Sequence, residues 1–229
     1  MIRTLAALAA GVSLCAAMPA AADDLANRVD AWRAGHEAEV VGQLDALTRI
    51  RSIAADPAGL KTAADRLEAL VKARGFATAQ LATDGGGPPV VFGERRTPGA
   101  KRTVVFYAHY DGQPVGQAGW ISKPFAPSMR TALPEATPVD WRAATGPLDP
   151  DWRLYARSSG DDKGSIQALI SAFDALKAAG IKPSVNIKLL YEGEEEQGSP
   201  HFAKLVAKNL ELLRGDLLIM GDGPMHPSG

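Results

Sequence analysis

Cysteine is almost absent from this sequence. The 229 residues contain a single cysteine, Cys15, which lies in an apolar N-terminal segment. A chain with one cysteine cannot close an internal disulfide bond, so disulfides cannot stabilise its fold. The fold therefore has to depend on a hydrophobic core, and about 200 residues are enough for one sizeable domain.

A strong net charge is also missing. The chain has 25 Lys and Arg residues against 26 Asp and Glu residues, which gives a formal net charge of −1. A nucleic-acid-binding protein normally carries a basic face, so this balance argues against a nucleic-acid partner. Beyond the N-terminal segment, no apolar run is long enough to span a bilayer. We therefore expect no membrane partner once that segment has been removed.

The N-terminal segment, residues 1–22, has the features of a secretory signal peptide. It carries one charged residue, Arg3, then a long apolar stretch, and it ends in Ala20-Ala21-Ala22. This pattern predicts a cleavable signal peptide, whereas the alanine-rich composition and Pro19 argue against a membrane anchor. We expect residues 23–229 to be the exported domain, located in the periplasm or outside the cell.

Hydrophobic periodicity predicts helices and strands that alternate along the rest of the chain. The predicted helices are Leu25–Ile53, Pro57–Arg74, Gly164–Ala179 and Pro200–Leu213. The predicted strands are Phe76–Leu81, Pro89–Glu94, Thr103–Ala108, Val185–Tyr191 and Leu217–Met220. This order predicts an α/β fold with a mainly parallel, twisted sheet and helices on both of its faces.

Acidic residues and one histidine follow the predicted strands at their C-terminal ends. His109 and Asp111 follow the third strand, four glutamates lie within 192–196 after the fourth, and Asp222 follows the fifth. Asp161 lies where the third helix begins. Ligands of open α/β sheets bind beyond the carboxyl ends of the strands, so we expect these side chains to converge there. Imidazole and carboxylate groups together are typical ligands of a divalent cation.

Each of these short patterns also has an ordinary structural explanation. The pair Asp161-Asp162 could cap a helix, the run of glutamates could be a solvated loop, and Asp222 could be a turn residue. Four carboxylates within five positions repel one another, however, unless a cation or burial changes their protonation. The combination therefore favours a metal site more strongly than any single motif does.

Five stretches, in this order, resemble the zinc-dependent peptidases of the M20 family. They are VVFYAHYDGQP, the segment from Trp120 to Phe125, YARSSGDDKG, YEGEEEQGSPHF and LIMGDGP. The resemblance implies a zinc-peptidase-like catalytic domain that hydrolyses the amide bonds of dipeptides or small peptides, with the carnosinase-like dipeptidases as the most similar branch. A deacylase of N-acyl amino acids on the same scaffold is an open alternative.

The resemblance also implies a role for each matching residue. The implied metal ligands are His109, Asp161, Glu196 and Asp222. Asp161 would bridge two metal ions, followed by a cis peptide, and Asp111 would orient the His109 imidazole. Glu195 would act as the general base. The implied cofactors are two Zn²⁺ ions, with Mn²⁺ or Co²⁺ as alternatives.

The sequence departs from the family pattern in three places. The bridging aspartate follows Ala156-Arg157-Ser158 where the family has Gly-Arg-Gly, and the segment Thr131–Asp151 is longer than usual. Family members continue into a lid or dimerisation domain and a final metal-binding histidine, whereas this sequence ends at Gly229. We therefore expect residues 23–229 to be the N-terminal part of the catalytic domain, truncated before the lid. The full-length protein would be a homodimer through the missing domain, and an inactive metal-binding fragment is a further alternative.

Overall fold

A computed structural model describes residues 18–116, 119–133 and 135–223, with side chains from residue 24 onward. Residues 1–17 of the predicted signal peptide lie outside this part of the chain, so the signal peptide stays a prediction. Within the described ranges, none of the helices combines the length and the apolar composition that a bilayer span requires.

The described residues form five α-helices and seven strands. The helices are α1 (Met18–Thr48), α2 (Pro57–Lys72), α3 (Lys163–Ala178), α4 (Phe202–Lys208) and α5 (Leu210–Leu213). The strands are β1 (Ala77–Leu81), β2 (Val90–Arg95), β3 (Thr103–His109), β4 (Ser128–Arg130), β5 (Arg153–Tyr155), β6 (Asn186–Glu192) and β7 (Leu217–Met220). The predicted segments that correspond to them start and end within a few residues of these bounds, except at the N-terminus of α1.

The main sheet contains five strands in the order β1-β2-β6-β3-β7. Strand β3 is parallel to both β6 and β7, whereas β2 is antiparallel to both β1 and β6. Strand β2 is thus the only one of these five that runs in the opposite direction. The prediction of a mainly parallel sheet is confirmed. Strands β4 and β5 form a separate antiparallel pair.

Alternate residues of the strands bury their side chains on opposite faces of the sheet. On one face, Val91 and Leu189 contact residues of α1, α2 and α3 in a shared core. On the other face, Phe92 and Leu190 form a second core with Leu205 and Leu213 of α4 and α5. Full burial of such a side chain is worth about 1.5–3 kcal/mol. Helices therefore cover both faces of the sheet, as predicted from the order of helices and strands in the sequence.

Two helices differ from the sequence prediction. The segment Pro200–Leu213 is broken at Asn209, whose side-chain amide donates to the Leu205 carbonyl at 2.9 Å and ends α4. Helix α1 begins at Met18 and ends at Thr48, whereas Leu25–Ile53 was predicted, and it continues through Gly42. A Cβ atom at that glycine would be in ordinary van der Waals contact with the ring of Trp141, at 3.4 Å.

The segment Thr131–Asp151 is anchored on α1. Arg142 forms a salt bridge with the buried Asp45 at 2.9 Å. The backbone N–H of Leu148 donates to a carboxylate oxygen of Glu37 at 2.7 Å. This segment therefore has fixed contacts with the helix, although its sequence shows no periodic pattern.

Candidate metal centre

His109 is the last residue of β3 and is fully buried. The parallel pairing of β3 with β6 places it opposite Glu192, at the carboxyl ends of both strands. Its Nε2 atom lies 2.7 Å from Oδ1 of Asp161, and its Nδ1 atom lies 3.2 Å from Oδ1 of Asp111. One ring nitrogen therefore faces the exposed carboxylate of Asp161, and the other faces the buried carboxylate of Asp111.

Asp111 also contacts the turn that carries the glutamates. The backbone N–H groups of Glu195 and Glu196 donate to its two oxygens at 3.2 and 3.1 Å. This turn, Glu195–Gln197, is a short 3₁₀ helix that is separated from β6 by two residues. Asp111 therefore positions the glutamate turn as well as the imidazole, a second task that the sequence did not reveal.

The pair Asp161-Asp162 does not act as a simple helix cap. Asp162 occupies the position before α3, but its side chain makes no capping hydrogen bond to that helix. Its Oδ2 atom instead accepts from the backbone N–H of His109 at 3.2 Å. The peptide bond between Asp161 and Asp162 is cis, as the resemblance implies. Asp162 thus joins the start of α3 to the end of β3.

Potential ligand atoms converge in two groups that share His109. In each group, the ligand atoms all lie within 4.8 Å of one another. The groups are His109, Asp161 and Glu196, and His109, Glu195 and Asp222. The structure brings all four predicted ligands close to His109, with Asp161 and Glu196 in one group and Asp222 beside Glu195 in the other.

The donors in this place fit a divalent cation. Oε1 of Glu196 is buried and has no hydrogen-bond partner. Burial raises the pKa of Glu196, and the charge of the neighbouring Asp161 raises it further. Burial likewise raises the pKa of Glu195, helped by the charge of Asp222. A cation would relieve this repulsion and provide the missing partner, and nitrogen and oxygen donors together suit zinc.

The carboxylates around His109 also determine the pKa of its imidazole. Burial by itself would lower the pKa of the imidazole, but the hydrogen bond and charge of Asp111, followed by those of Asp161, raise the pKa to about 9. A bound cation would reverse this preference, since a histidine ligand binds metal in its neutral form.

One further polar residue contacts a predicted ligand, and two others hold segments that adjoin predicted site residues in the sequence. Gln113 donates a side-chain hydrogen bond to Glu196. His201 donates its backbone N–H to Glu194, and its Nδ1 lies within hydrogen-bond distance of that buried carboxylate, both at 2.8 Å. Lys163 donates to the carbonyls of Leu47 and Ile50, at and just beyond the end of α1, both at 3.1 Å, and burial lowers its pKa to about 7. Periodicity gave no signal for these contacts, because each joins segments that are distant in sequence or meet across a turn.

The family assignment agrees with this geometry. The model of the family described as peptidase family M20/M25/M40 matches residues 105–227, which is more than half of the chain. The chain therefore belongs to peptidase family M20/M25/M40, and the prediction made from the five sequence stretches is confirmed.

Three curated relatives illustrate the similarity. Human Beta-Ala-His dipeptidase is 35% identical over 122 residues, which are 53% of this chain and 20% of that protein. A Cys-Gly metallodipeptidase from Schizosaccharomyces pombe is 33% identical over 125 residues, or 54% of this chain and 22% of that protein. A succinyl-diaminopimelate desuccinylase from Acidovorax ebreus is 34% identical over 120 residues, or 52% of this chain and 25% of that protein.

Two crystal structures share the fold. Human carnosine dipeptidase 1 superposes with a TM-score of 0.70 and 26% identity, over 88% of this chain and 41% of that chain. An M20 family metallo-carboxypeptidase from Sulfolobus solfataricus gives a TM-score of 0.66 and 32% identity, over 83% of this chain and 39% of that chain. The chain thus spans about a fifth of the length of the first curated relatives and about two fifths of these solved structures.

Proposed function

We propose that this chain is the N-terminal part of the catalytic domain of a metal-dependent dipeptidase, which hydrolyses the amide bond of dipeptides or small peptides. The observation that carries the proposal is the convergence of His109, Asp161, Glu195, Glu196 and Asp222 beyond the ends of β3, β6 and β7. Two of the three relatives described above are dipeptidases by name, which supports this substrate class.

Two divalent cations, Zn²⁺ with Mn²⁺ or Co²⁺ as alternatives, would be held by the residues around His109. The proposed ligands are His109, Asp161, Glu196 and Asp222, which lie in two groups that share His109. Zinc in such a site supplies Lewis-acid activation of water and of the substrate carbonyl. Asp111 holds the imidazole from its other side, which fixes the ring so that Nε2 faces Asp161.

Glu195 is the proposed general base. Its Oε2 atom lies 3.8 Å from Nε2 of His109, and its side chain is partly open to solvent. It takes a proton from the water whose oxygen attacks the amide carbon, and it then returns that proton to the nitrogen of the leaving amine as the C–N bond breaks. The raised pKa of Glu195 suits a group that has to accept and then release a proton.

The first experiment compares the zinc-loaded protein with its Glu195→Gln variant, using a dipeptide panel and measuring metal content. We expect the variant to keep its zinc and to lose hydrolysis by about 10²–10⁴-fold, which is the usual contribution of a positioned base. Hydrolysis at the wild-type rate by Glu195→Gln would refute the assignment of the base. A wild-type chain that holds zinc but cleaves nothing would support the inactive-fragment alternative.

A deacylase of N-acyl amino acids is the second candidate function. It is favoured by the desuccinylase relative, whose identity to this chain is similar to that of the dipeptidases. Parallel assays with dipeptides and with N-acylated amino acids separate the two candidates. Faster turnover of the dipeptides supports the first proposal, and faster turnover of the acylated amino acids supports the second.

We also propose that the protein is exported from the cytoplasm. Removal of residues 1–22 would release a periplasmic or secreted domain, and the whole protein would be a homodimer. N-terminal sequencing of the protein purified from its native source tests the cleavage. A start at or near Asp23 is expected, whereas an intact N-terminus would contradict it.

A further inference from the structure

Tyr110 joins the ends of three neighbouring strands at the edge of the sheet that carries the candidate metal centre. It directly follows His109 at the end of β3, and its backbone N–H donates to the carbonyl of Glu192, the last residue of β6, at 2.7 Å. Its hydroxyl donates to the carbonyl of Pro89, directly before β2, at 2.6 Å. Because β6 lies between β3 and β2, the side chain of Tyr110 crosses the end of β6.

The phenol ring of Tyr110 is held on all sides. The residue is fully buried, and it belongs to the core that the sheet shares with α1, α2 and α3. The hydroxyl of Ser52 donates to its backbone carbonyl at 2.7 Å, so its main chain is fixed as well. Protein interiors are close-packed, and a buried ring that is bonded at its far end has no free space to enter. The side chain is therefore a rigid brace between the strand ends.

Gly193 allows this brace to pass. A Cβ atom at that position would lie 2.8 Å from Cε2 of the Tyr110 ring and still closer to Cζ and the hydroxyl oxygen. Two carbon atoms in contact prefer a separation of about 3.5–4.0 Å. A side chain at Gly193 would therefore displace the ring or the backbone that leads into the turn Glu195–Gln197. The ring is buried and bonded to Pro89, so we expect the turn to move.

We propose that Tyr110 is a positioning residue, whose ring sets the distance between the end of β3 and the turn that carries the glutamates. The inference deepens the proposed function and rests on it. His109 at the strand end shares one ligand group with Glu196 and the other with Glu195, so both groups depend on this distance. The ring itself binds no metal and moves no proton. It acts by fixing the backbone to which the proposed ligands and the proposed base are attached.

The first test is Gly193→Ala in the zinc-loaded protein. We expect kcat for dipeptides to fall by about 10- to 100-fold, since a displacement of about 1 Å in an active site can cost that much. Zinc affinity, measured by competition with a chelator, should fall by about tenfold. Gly93→Ala in β2 is the matched control, because its Cβ atom would lie 2.8 Å from Cγ1 of Val71 in the same core. It should lower stability in urea and leave kcat and zinc affinity unchanged.

Two substitutions of Tyr110 complete a double-mutant cycle. Tyr110→Leu removes the ring and should lower kcat and zinc affinity, whereas Tyr110→Phe keeps the ring and should lose less. In the double variant, Gly193→Ala should cost much less than it does in the wild-type background, because its methyl group no longer meets a ring. Additive losses, or unchanged kcat and zinc affinity in Gly193→Ala, would overturn the proposal.

Amide hydrogen exchange in the zinc-free protein separates this inference from the proposed function, because it needs neither metal nor turnover. The N–H groups of Glu195 and Glu196, which donate to Asp111, should exchange at least about tenfold faster in Gly193→Ala than in the wild type. In Gly93→Ala they should speed up no more than the N–H groups of the core strands. Wild-type exchange of both groups in Gly193→Ala would overturn the brace. Faster exchange supports it, even if the wild-type protein cleaves nothing.

Discussion

At the scale of single residues, Asp111 joins two parts of the candidate metal centre. Its carboxylate is close to the imidazole of His109 and accepts from the N–H groups of Glu195 and Glu196. Only 1% of the residue is exposed, so water cannot replace these contacts. Hydrogen bonds to an ionised group are among the stronger ones in proteins. The orientation of the ring and the position of the glutamate turn therefore depend on one side chain.

We expect Asp111→Asn to weaken zinc binding by about 10- to 100-fold, since an amide has one acceptor oxygen where the carboxylate has two. Competition with a chromophoric chelator measures the affinity. The matched control is Asp216→Asn, because Asp216 accepts from the N–H of Thr103 at the opposite end of β3. Wild-type zinc affinity in Asp111→Asn would show that this carboxylate does not position the centre.

His201→Ala should lower the free energy of unfolding by about 1.5–3 kcal/mol, because it leaves a buried oxygen of Glu194 without its partner. His201→Asn should recover part of this loss, since its amide nitrogen can reach the position of Nδ1. Urea denaturation measures both variants. His36→Ala is the control, because that imidazole lies on α1 against Trp32. Equal unfolding midpoints for His201→Ala and the wild type would contradict the expectation.

The predicted metal ligands could be identified from the sequence, but the residues that form hydrogen bonds with them could not. His109 and Asp222 could be placed because each follows an apolar strand, and the carboxyl ends of parallel strands share one edge. Asp162 and Gln113 could not be assigned, because their bonds to His109 and Glu196 depend on how distant segments meet. Which ligands group together also depends on side-chain rotamers, and the spacing of residues in the sequence does not determine these.

At the scale of elements, α1 and the segment Thr131–Asp151 are held together by a buried carboxylate. Asp45 forms salt bridges with Arg49 of α1 and with Arg142 of the segment. Burial by itself would raise the pKa of Asp45, but the hydrogen bonds from the two arginines outweigh it and lower the pKa below its usual range. The contact therefore stabilises the fold only while Asp45 is ionised.

Asp45→Asn should lower the free energy of unfolding at pH 7 by about 1–2 kcal/mol. Because the folded pKa is the lower one, this stability is present above the ordinary pKa of aspartate, about 3.9, and is lost as the pH falls through the folded value. Urea denaturation at pH 7 and pH 3 should show the difference from the wild type shrinking in acid. Asp65→Asn, at an exposed pair with Lys61, should change stability much less. A difference for Asp45→Asn that is independent of pH would contradict this.

The presence of a helix or strand could be predicted more readily than the direction of a strand or a break in a helix. Apolar runs identified the five strands of the main sheet, but periodicity carries no information on direction, so the reversal of β2 was not predicted. The break at Asn209 was missed because the apolar spacing continues through it. The contacts of the segment Thr131–Asp151 could not be predicted from hydrophobic periodicity, because they are made by polar side chains and by the backbone.

At the scale of the whole molecule, β7 stands out as an apolar strand that is not buried. Its four residues, Leu217 to Met220, are between 41% and 55% exposed, and the strand pairs with β3 alone among the described residues. An exposed, apolar edge strand is a template for pairing with another chain. The sequence predicted the strand but not its exposure, because burial depends on neighbouring elements as well as on composition.

We expect the purified chain to self-associate with rising concentration through β7. The variant Leu218→Lys should shift the association to higher concentration, because a charge on an edge strand opposes pairing. Sedimentation velocity at several concentrations measures the effect. Leu133→Lys is the control, since Leu133 is an exposed leucine that is not part of β7. Identical sedimentation of Leu218→Lys and the wild type would exclude β7 as the contact.

The shared carboxylate of Asp111 limits how the centre could be redesigned. A change of ligand type at position 109, made to favour another metal, would also remove the partner of one Asp111 oxygen. That oxygen holds the N–H of Glu195 as well, so the proposed base would shift together with the ligand. A replacement for the proposed ligand His109 would therefore also need a new partner for Asp111, so that the proposed base Glu195 keeps its position.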